Sequence, residues 1–384
     1  MGWYVSFDKL GQKQLEVLNG IVAQLEEPHW VQGFAGTGKT LVVTHLMERV
    51  AKLKPTGTLC FITFTHALRD LVAGGLQGSV AKRVDIKTHR QYLSERQRYD
   101  YVFLDEVQDI SHSDLVKIKA LAGNLYVAGD GDQRIYEDGA SETEINAAVS
   151  PRTWKLLEIF RLTKLLQQVA QAILPRTKLI EGLHSSKDAE VTIRLLQHES
   201  SHLEALWIWN EAKRRARPAD PCVILFPTHK AIASFASEVG RSLGHGVPPP
   251  RGTRGDYGPF NEFWETAGVR IMYFGSSHGD LTRGDKEPMV YLMTFHSSKG
   301  LDFRNVFIPG MHHGATIVSQ SALEIDPELD RRLLFVAVTR SRENLFISYS
   351  GRVPNSLLKG LPSSVVAKPP LTNAASNDDE EEFF

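Results

Sequence analysis

Gly33-Phe-Ala-Gly36-Thr37-Gly38-Lys39-Thr40 stands between the apolar run Trp30-Val31-Gln32 and a stretch, Leu41–Leu53, with apolar residues at Leu41, Val42, Leu46, Val50 and Leu53. The second spacing is that of one helix face, and the first run reads as a short strand. The eight residues between them fit the pattern G-x-x-x-x-G-K-[ST] in a strand–loop–helix setting. Glycines let successive backbone N–H groups converge on one anion, and the helix start adds its partial positive charge. The stretch therefore predicts a phosphate cradle for ATP. Gly36, Thr37 and Gly38 shape the loop, Lys39 reaches the β- and γ-phosphates, and the Thr40 hydroxyl ligates Mg²⁺.

A second element completes such a site. In Tyr101-Val-Phe-Leu104-Asp105-Glu106-Val-Gln108-Asp109 an apolar strand delivers two carboxylates to its C-terminal end, where parallel α/β sheets bind ligands. Asp105 is expected in the Mg²⁺ shell, and Glu106 is expected to orient or deprotonate the attacking water.

Around these motifs, apolar runs alternate with helical patterns. Leu59–Phe64, Tyr101–Leu104 and Leu125–Ala128 read as buried strands. A second cycle follows Phe160-Arg161: helices Lys164–Leu174, His202–Arg214, Lys230–Leu243 and Leu329–Ser341 alternate with strands Val191–Leu196, Val223–Phe226, Val269–Tyr273, Val290–Thr294, Val306–Ile308 and Asn344–Tyr349. Alternation of this kind predicts βαβ units and parallel sheets, so the fold class is α/β. The segment His245–Phe260 has the Pro/Gly density of a surface loop. From Gly351 the pattern dissolves into Pro, Ser, Ala and Asn, which reads as a flexible tail ending in acidic residues.

Composition excludes several classes. The chain has 384 residues, 42% of them hydrophobic and 23% charged, and no apolar run approaches the ~20 residues of a membrane span. The N-terminus lacks a basic region followed by an apolar core, so secretion is not indicated. Two lone cysteines, Cys60 and Cys222, sit in strand-like runs and fit a reducing, cytoplasmic compartment better than a disulfide or zinc site. The 14 histidines fall into no metal-ligand spacing, and the adjacent pair His312-His313 reads as a solvated loop. Net charge is −1, but five carboxylates are concentrated in Asp378–Glu382. Without them the balance is +4, which permits a locally basic groove.

Gly33–Thr40 followed by Asp105-Glu106-Val-Gln108-Asp109 resembles superfamily 1 helicases of the UvrD/Rep type, and the resemblance extends through Tyr349. It implies two RecA-like P-loop domains, at 1–157 and 158–350, with 351–384 as the flexible acidic tail. Leu10-Gly-Gln-Lys-Gln14 is similar to the family's glutamine motif, making Gln14 the expected adenine reader. Phe64-Thr65 and Thr88-His89 resemble strand-contacting motifs. Val127-Ala-Gly129-Asp130-Gly-Asp-Gln133-Arg-Ile-Tyr136 resembles motif III, with Gln133 sensing the γ-phosphate. Phe160-Arg161 resembles motif IV, where the ring stacks on adenine and the arginine meets the γ-phosphate. Thr294-Phe-His296-Ser-Ser-Lys299-Gly300-Leu301-Asp302 resembles motif V, with Asp302 as a ribose contact. Arg331–Arg340 resembles motif VI, with Arg340 a second γ-phosphate arginine. ATP in the cleft then bridges both domains. Phe64 is expected to stack on a base, with Thr65, His89, Thr294 and His296 bonding phosphates.

The resemblance implies an ATP-dependent single-stranded-DNA translocase or helicase, with 3′-to-5′ polarity and no membrane partner. A nucleic-acid-activated switch subunit and an RNA-directed motor are the alternative functions. Three departures qualify the expectation. The chain has no room for large accessory domains at His66–Leu104 or Pro175–Tyr291, which makes translocation a safer reading than unwinding. Glu137-Asp138 follow Tyr136 where a base-stacking tryptophan is usual, so either Tyr136 takes over the stacking or the strand runs differently. Asp302 replaces the usual glutamate. Finally, Asp378–Phe384 resembles the acidic, Phe-terminated tip of bacterial single-stranded-DNA-binding proteins, which makes residues 378–384 a candidate contact for a protein partner.

Overall fold

The computed structural model describes residues 5–76, 78–177, 183–184, 191–252, 255–275 and 277–365. Two six-stranded sheets, each parallel throughout, form its frame. The first comprises β1 (His29–Gly33), β2 (Leu59–Thr63), β3 (Val84–Thr88), β4 (Tyr99–Leu104), β5 (Ala122–Gly129) and β6 (Arg152–Leu156), in the order β3-β2-β4-β5-β1-β6. A short parallel pair, β7 (Glu158–Ile159) and β8 (Leu183–His184), follows it. The second sheet comprises β9 (Thr192–His198), β10 (Cys222–Phe226), β11 (Ile271–Tyr273), β12 (Val290–Thr294), β13 (Phe303–Ile308) and β14 (Ser341–Ser350), in the order β11-β12-β10-β13-β14-β9.

Helices cover both faces of each sheet, which is why the central strands are continuous apolar runs rather than alternating ones. Successive side chains of a strand enter opposite cores. In β4, Phe103 joins the cluster beneath helix Lys39–Leu53, while Val102 and Leu104 join the cluster with Trp30 and Ile118. In β10, Val223 and Leu225 face one core and Cys222, Ile224 and Phe226 the other. Cys60 and Cys222 are both free and buried.

The two-sheet architecture agrees with the expected α/β class, and the departures lie at its edges. Helix Leu329–Val338 stops three residues before the expected Ser341, because Ser341 already begins β14. Residues Gly258–Phe260, expected in a loop, start helix Gly258–Thr266, with Pro259 in its first turn. The tail also begins later than expected. Leu357 and Leu358 pack into the core of the second sheet, Val365 is fully buried, and the Val365 carbonyl accepts from Leu195 N at 2.9 Å. Residues 351–365 are thus part of the second unit, and the acidic segment 378–384 lies outside the described residues. Between β2 and β4, and between β9 and β12, the described chain forms the sheets' own strands and their covering helices. No helix among the described residues is long and apolar enough to cross a membrane.

Candidate nucleotide cleft and strand groove

The loop after β1 turns back on itself through Gly36 (φ 80°) and Gly38 (φ 82°), backbone conformations that a side chain would strain. Close neighbours reinforce the requirement: a Cβ on Gly38 would stand 2.4 Å from Gln14 Nε2. Lys39 Nζ donates to the carbonyls of Gly33 (2.8 Å) and Phe34 (3.1 Å). Gln14 braces the loop from behind. Its Nε2 donates to the Thr37 carbonyl at 2.9 Å, and its Oε1 accepts from Gly11 N at 2.9 Å. The Phe160 ring lies against Gly11, 37% exposed, and Phe160 N donates to the Gly36 carbonyl at 3.0 Å.

At the end of β4, Thr40 donates its hydroxyl to Asp105 Oδ2 at 2.5 Å, and Asp105 Oδ1 accepts from Glu106 N at 2.9 Å. Burial, together with the neighbouring Glu106 charge, raises the Asp105 carboxyl to about 7. A hydroxyl and a carboxylate oxygen held together in this way are the hard donors that Mg²⁺ takes, so the residues fit that ion. Glu106 adopts a left-handed backbone (φ 56°), which non-glycine residues hold only when their surroundings enforce it. Its burial opposes ionisation, yet Lys299, Lys39, Gln108 and Arg340 outweigh that and hold the carboxyl below its usual value. Gln108 Nε2 donates to Glu106 Oε2 at 2.6 Å.

The opposite wall comes from the second sheet and the segment leading to it. Arg161 donates to Asp302 Oδ2 (3.0 Å) and to the Thr339 carbonyl (3.1 Å), and its stem packs on Gly36. Arg340 is buried. It donates to Gln133 Oε1 and the Leu301 carbonyl, both at 3.0 Å, and burial lowers its guanidinium to about 9, leaving it charged at neutral pH. Gln133 in turn donates to Asp130 Oδ2 at 2.7 Å. Lys39, Thr40, Glu106, Gln133, Arg161 and Arg340 line one cavity between the sheets. Asp302, expected at a ribose, also lines it, with its carboxylate on Arg161. Three residues with no assigned role join the site. Lys299 Nζ donates to Asp109 and the Gln133 carbonyl, Asp109 is its buried counter-ion, and Arg342 lines the cleft. Lys299 and Asp109 stand inside quoted motifs, but nothing in either motif says that they meet.

Five of the six residues expected to touch a strand gather in a second cavity on the same inter-sheet seam, and the sixth, His89, is buried behind it. Phe64, Thr65, Tyr136, Thr294 and His296 line it, together with Thr228 and His229. Their rings form a row: His89 stacks on Phe64 (4.7 Å between centroids), Phe64 meets Tyr136 (4.2 Å), and Tyr136 meets His296 (5.5 Å). Thr65 caps helix His66–Gly75 by accepting from Leu68 N, which leaves its hydroxyl a proton to donate, and Thr294 accepts from Ser297 N. Thr294 and Ser297 hydroxyls lie 2.8 Å apart. Glu137 and Asp138 are exposed beside the row. Both cavities meet motif III, the first at Gln133 and the second at Tyr136, three residues on.

Family comparison finds the same two halves. Residues 275–352 match the UvrD-like helicase C-terminal domain, and residues 19–138 match an AAA domain. An ATP-dependent DNA helicase Rep of Buchnera aphidicola is 48% identical over 60 residues, covering 16% of this chain and 9% of that protein. An ATP-dependent DNA helicase PcrA of Staphylococcus aureus is 38% identical over 102 residues, covering 23% of this chain and 14% of that one. The matched stretches thus span well under a fifth of these relatives. An arterivirus helicase, nonstructural protein 10 in complex with DNA, aligns over 91% of this chain and 65% of its own at 17% identity, with a TM-score of 0.44. With an AAA-domain match on the P-loop side of the cleft and a UvrD-like match on the other, the chain is similar to UvrD/Rep-like superfamily 1 helicases in both halves.

Proposed function

We propose that the chain is an ATP-dependent single-stranded-DNA translocase of the UvrD-like type, moving 3′ to 5′, with duplex unwinding a weaker activity. The observation that carries this reading is the inter-sheet cavity, where Arg161 and Arg340 stand across from Lys39, Glu106 and Gln133. Thr40 and Asp105 would hold Mg²⁺, which when bound neutralises charge on the phosphate oxygens. Lys39 leaves the Gly33 and Phe34 carbonyls for the β- and γ-phosphates. Gln14 and Phe160 flank the adenine, and Asp302 faces the ribose. Glu106 orients the attacking water and takes its proton, and Arg161 and Arg340 stabilise the charge that develops on the γ-phosphoryl group. Such arginines contribute ~10³–10⁵ in rate.

Movement follows from the route between the two cavities. Gln133 contacts Arg340, and Tyr136 on the same segment sits in the aromatic row. Loss of the γ-phosphate frees Arg340 and Gln133 to shift, and the shift reaches Tyr136 over three residues. Phe64 and Tyr136 stack on bases while Thr65, His89, Thr294 and His296 meet the backbone, a sequence-tolerant grip. Polarity and the preference for DNA rest on the family alone. Free, buried Cys60 and Cys222 suit a reducing cytoplasm.

A second reading, a nucleic-acid-activated ATPase switch that a partner protein senses, draws support from the short connections within both sheets, which leave no accessory domain among the described residues. Triplex displacement by the isolated chain separates the two. Displacement that requires ATP and a single-stranded flank supports translocation, and ATPase without displacement supports the switch. Comparing ATPase stimulation by poly-dT and poly-U tests the RNA-directed alternative. If Arg340→Ala left kcat unchanged, the inter-sheet site itself would be wrong.

A further inference from the structure

Arg342 belongs to none of the motifs, yet it lines the same cavity as the P-loop, Arg161 and Arg340. It lies two residues beyond Arg340, at the start of β14, where the register against β13 shifts between Ser341 and Asn344. Its ionic contacts are both long. Arg342 Nε is 3.6 Å from Asp302 Oδ1, and a terminal nitrogen is 3.7 Å from Asp220 Oδ1. Neither is a hydrogen-bond distance. Each of those carboxylates already has a closer arginine: Arg161 donates to Asp302 at 3.0 Å, and Arg304 donates to Asp220 at 3.0 Å. Arg304 also donates to Glu343 at 2.6 Å. Arg342 Nε is buried with no hydrogen-bond partner. A buried donor left unpaired is costly, and an ionised donor more so.

The cleft has a matching imbalance. Its lining carries four cations, Lys39, Arg161, Arg340 and Arg342, against the carboxylates Glu106 and Asp302. A polyanion restores the balance, and the planar guanidinium matches phosphate oxygens with parallel N–H groups. We propose that Arg342 is a further nucleotide-binding residue, which leaves its long contacts to Asp302 and Asp220 and donates to the phosphate chain of a bound nucleoside di- or triphosphate. This rests on the reading of the cleft as the nucleotide site. Arg342 adds affinity to that site, whereas Arg161 and Arg340 act on the γ-phosphoryl group during hydrolysis.

Titration of the full chain with fluorescent ADP, alongside steady-state ATPase on poly-dT, tests the proposal. In R342Q the Kd for ADP and the KM for ATP should both rise about tenfold, with kcat at saturation within about twofold of wild type, the pattern of lost uniform binding. R342K, which keeps the charge without the fork, should recover part of the loss and serves as the assay variant if R342Q does not fold. Unchanged ADP affinity in either folded variant overturns the proposal. So does a fall in kcat with KM unmoved, which would mean that Arg342 acts through Asp302, and so does weakened binding of poly-dT alone. Wild type and Lys39→Ala separate this from failure of the underlying reading. If wild type binds no ADP, the cleft is not a nucleotide site. If it binds ADP and Lys39→Ala does not, the site stands whatever Arg342 does.

Discussion

Lys299 of the second sheet's unit ends on Asp109 of the first, with both side chains almost wholly removed from solvent, at 1% and 0% exposure. The ammonium also donates to the Gln133 carbonyl and lies 3.9 Å from Glu106 Oε2. Burial pushes the Asp109 carboxyl up to about 6, opposed by Lys299 and reinforced by the Glu106 charge. Two charges taken out of water this completely hold each other, and removing one strands the other at a cost of ~3–5 kcal/mol. Lys299→Met should therefore lower the thermal midpoint sharply and depress ATPase. The double variant Lys299→Met/Asp109→Leu should regain much of the midpoint, because no charge is left alone. A double variant less stable than either single one would show that the pair is not what joins the two units here.

Lys39 and Glu106 fail differently when replaced. Lys39→Ala removes the one P-loop side-chain cation and should abolish both hydrolysis and tight ATP binding. Glu106→Gln keeps the side chain's size and its contact with Gln108, so ATP should bind with near-normal affinity while turnover falls by ~10² or more. Filter binding of labelled ATP beside a phosphate-release assay reads the two effects apart. Normal turnover in Glu106→Gln would move the general base elsewhere.

The motifs were legible because local backbone geometry demands particular residues. Gly36 and Gly38 occupy left-handed positions, and Asp105-Glu106 follow an apolar strand that can only be central. The outer strands of the first sheet were not legible for the opposite reason. β3 (Val84–Thr88) and β6 (Arg152–Leu156) are sheet edges with exposed polar positions, so neither shows an apolar run. In residues 351–365 the anchors Leu357, Leu358 and Val365 are scattered among Pro, Gly and Ser, and only their burial against the second sheet reveals the segment as ordered. Lys299 and Asp109 are separated by 190 positions. No spacing rule connects residues that far apart, and the same holds for Arg342 with Asp302 and Asp220.

The aromatic row makes a graded forecast. Phe64 is half-buried between His89 and Tyr136, so its removal costs packing as well as any base contact. Tyr136 is the ring that also approaches His296, across the seam. Tyr136→Ala should weaken single-stranded-DNA binding by ~1–3 kcal/mol, with intrinsic ATPase preserved and DNA stimulation reduced. Tyr136→Phe should behave as wild type if stacking is the contribution. Fluorescence anisotropy with labelled poly-dT at fixed salt provides the affinities, and equal losses in both variants would assign the effect to the hydroxyl instead.

His296, inside the strand groove, should leave a signature in acid. Burial lowers its imidazole to about 4, and the charges of Lys299 and His229 push the same way. The unfolded chain takes up this proton near 6.5, whereas the folded one does so only near 4. Between those values the unfolded state holds more protons, so folding stability declines as pH falls through the window, by on the order of 3 kcal/mol at its lower end. His296→Gln removes the titrating group and should flatten that part of the profile relative to wild type. Urea unfolding midpoints between pH 7 and 4 measure the difference, with carboxylates such as Asp109 contributing equally to both proteins. Over the upper part of that range His296 stays neutral, so its contact with a strand should gain no charge and the salt dependence of DNA binding should not steepen through it. Parallel stability profiles for the two proteins would mean that His296 is solvated in the working molecule, which would open the seam between Tyr136 and His296.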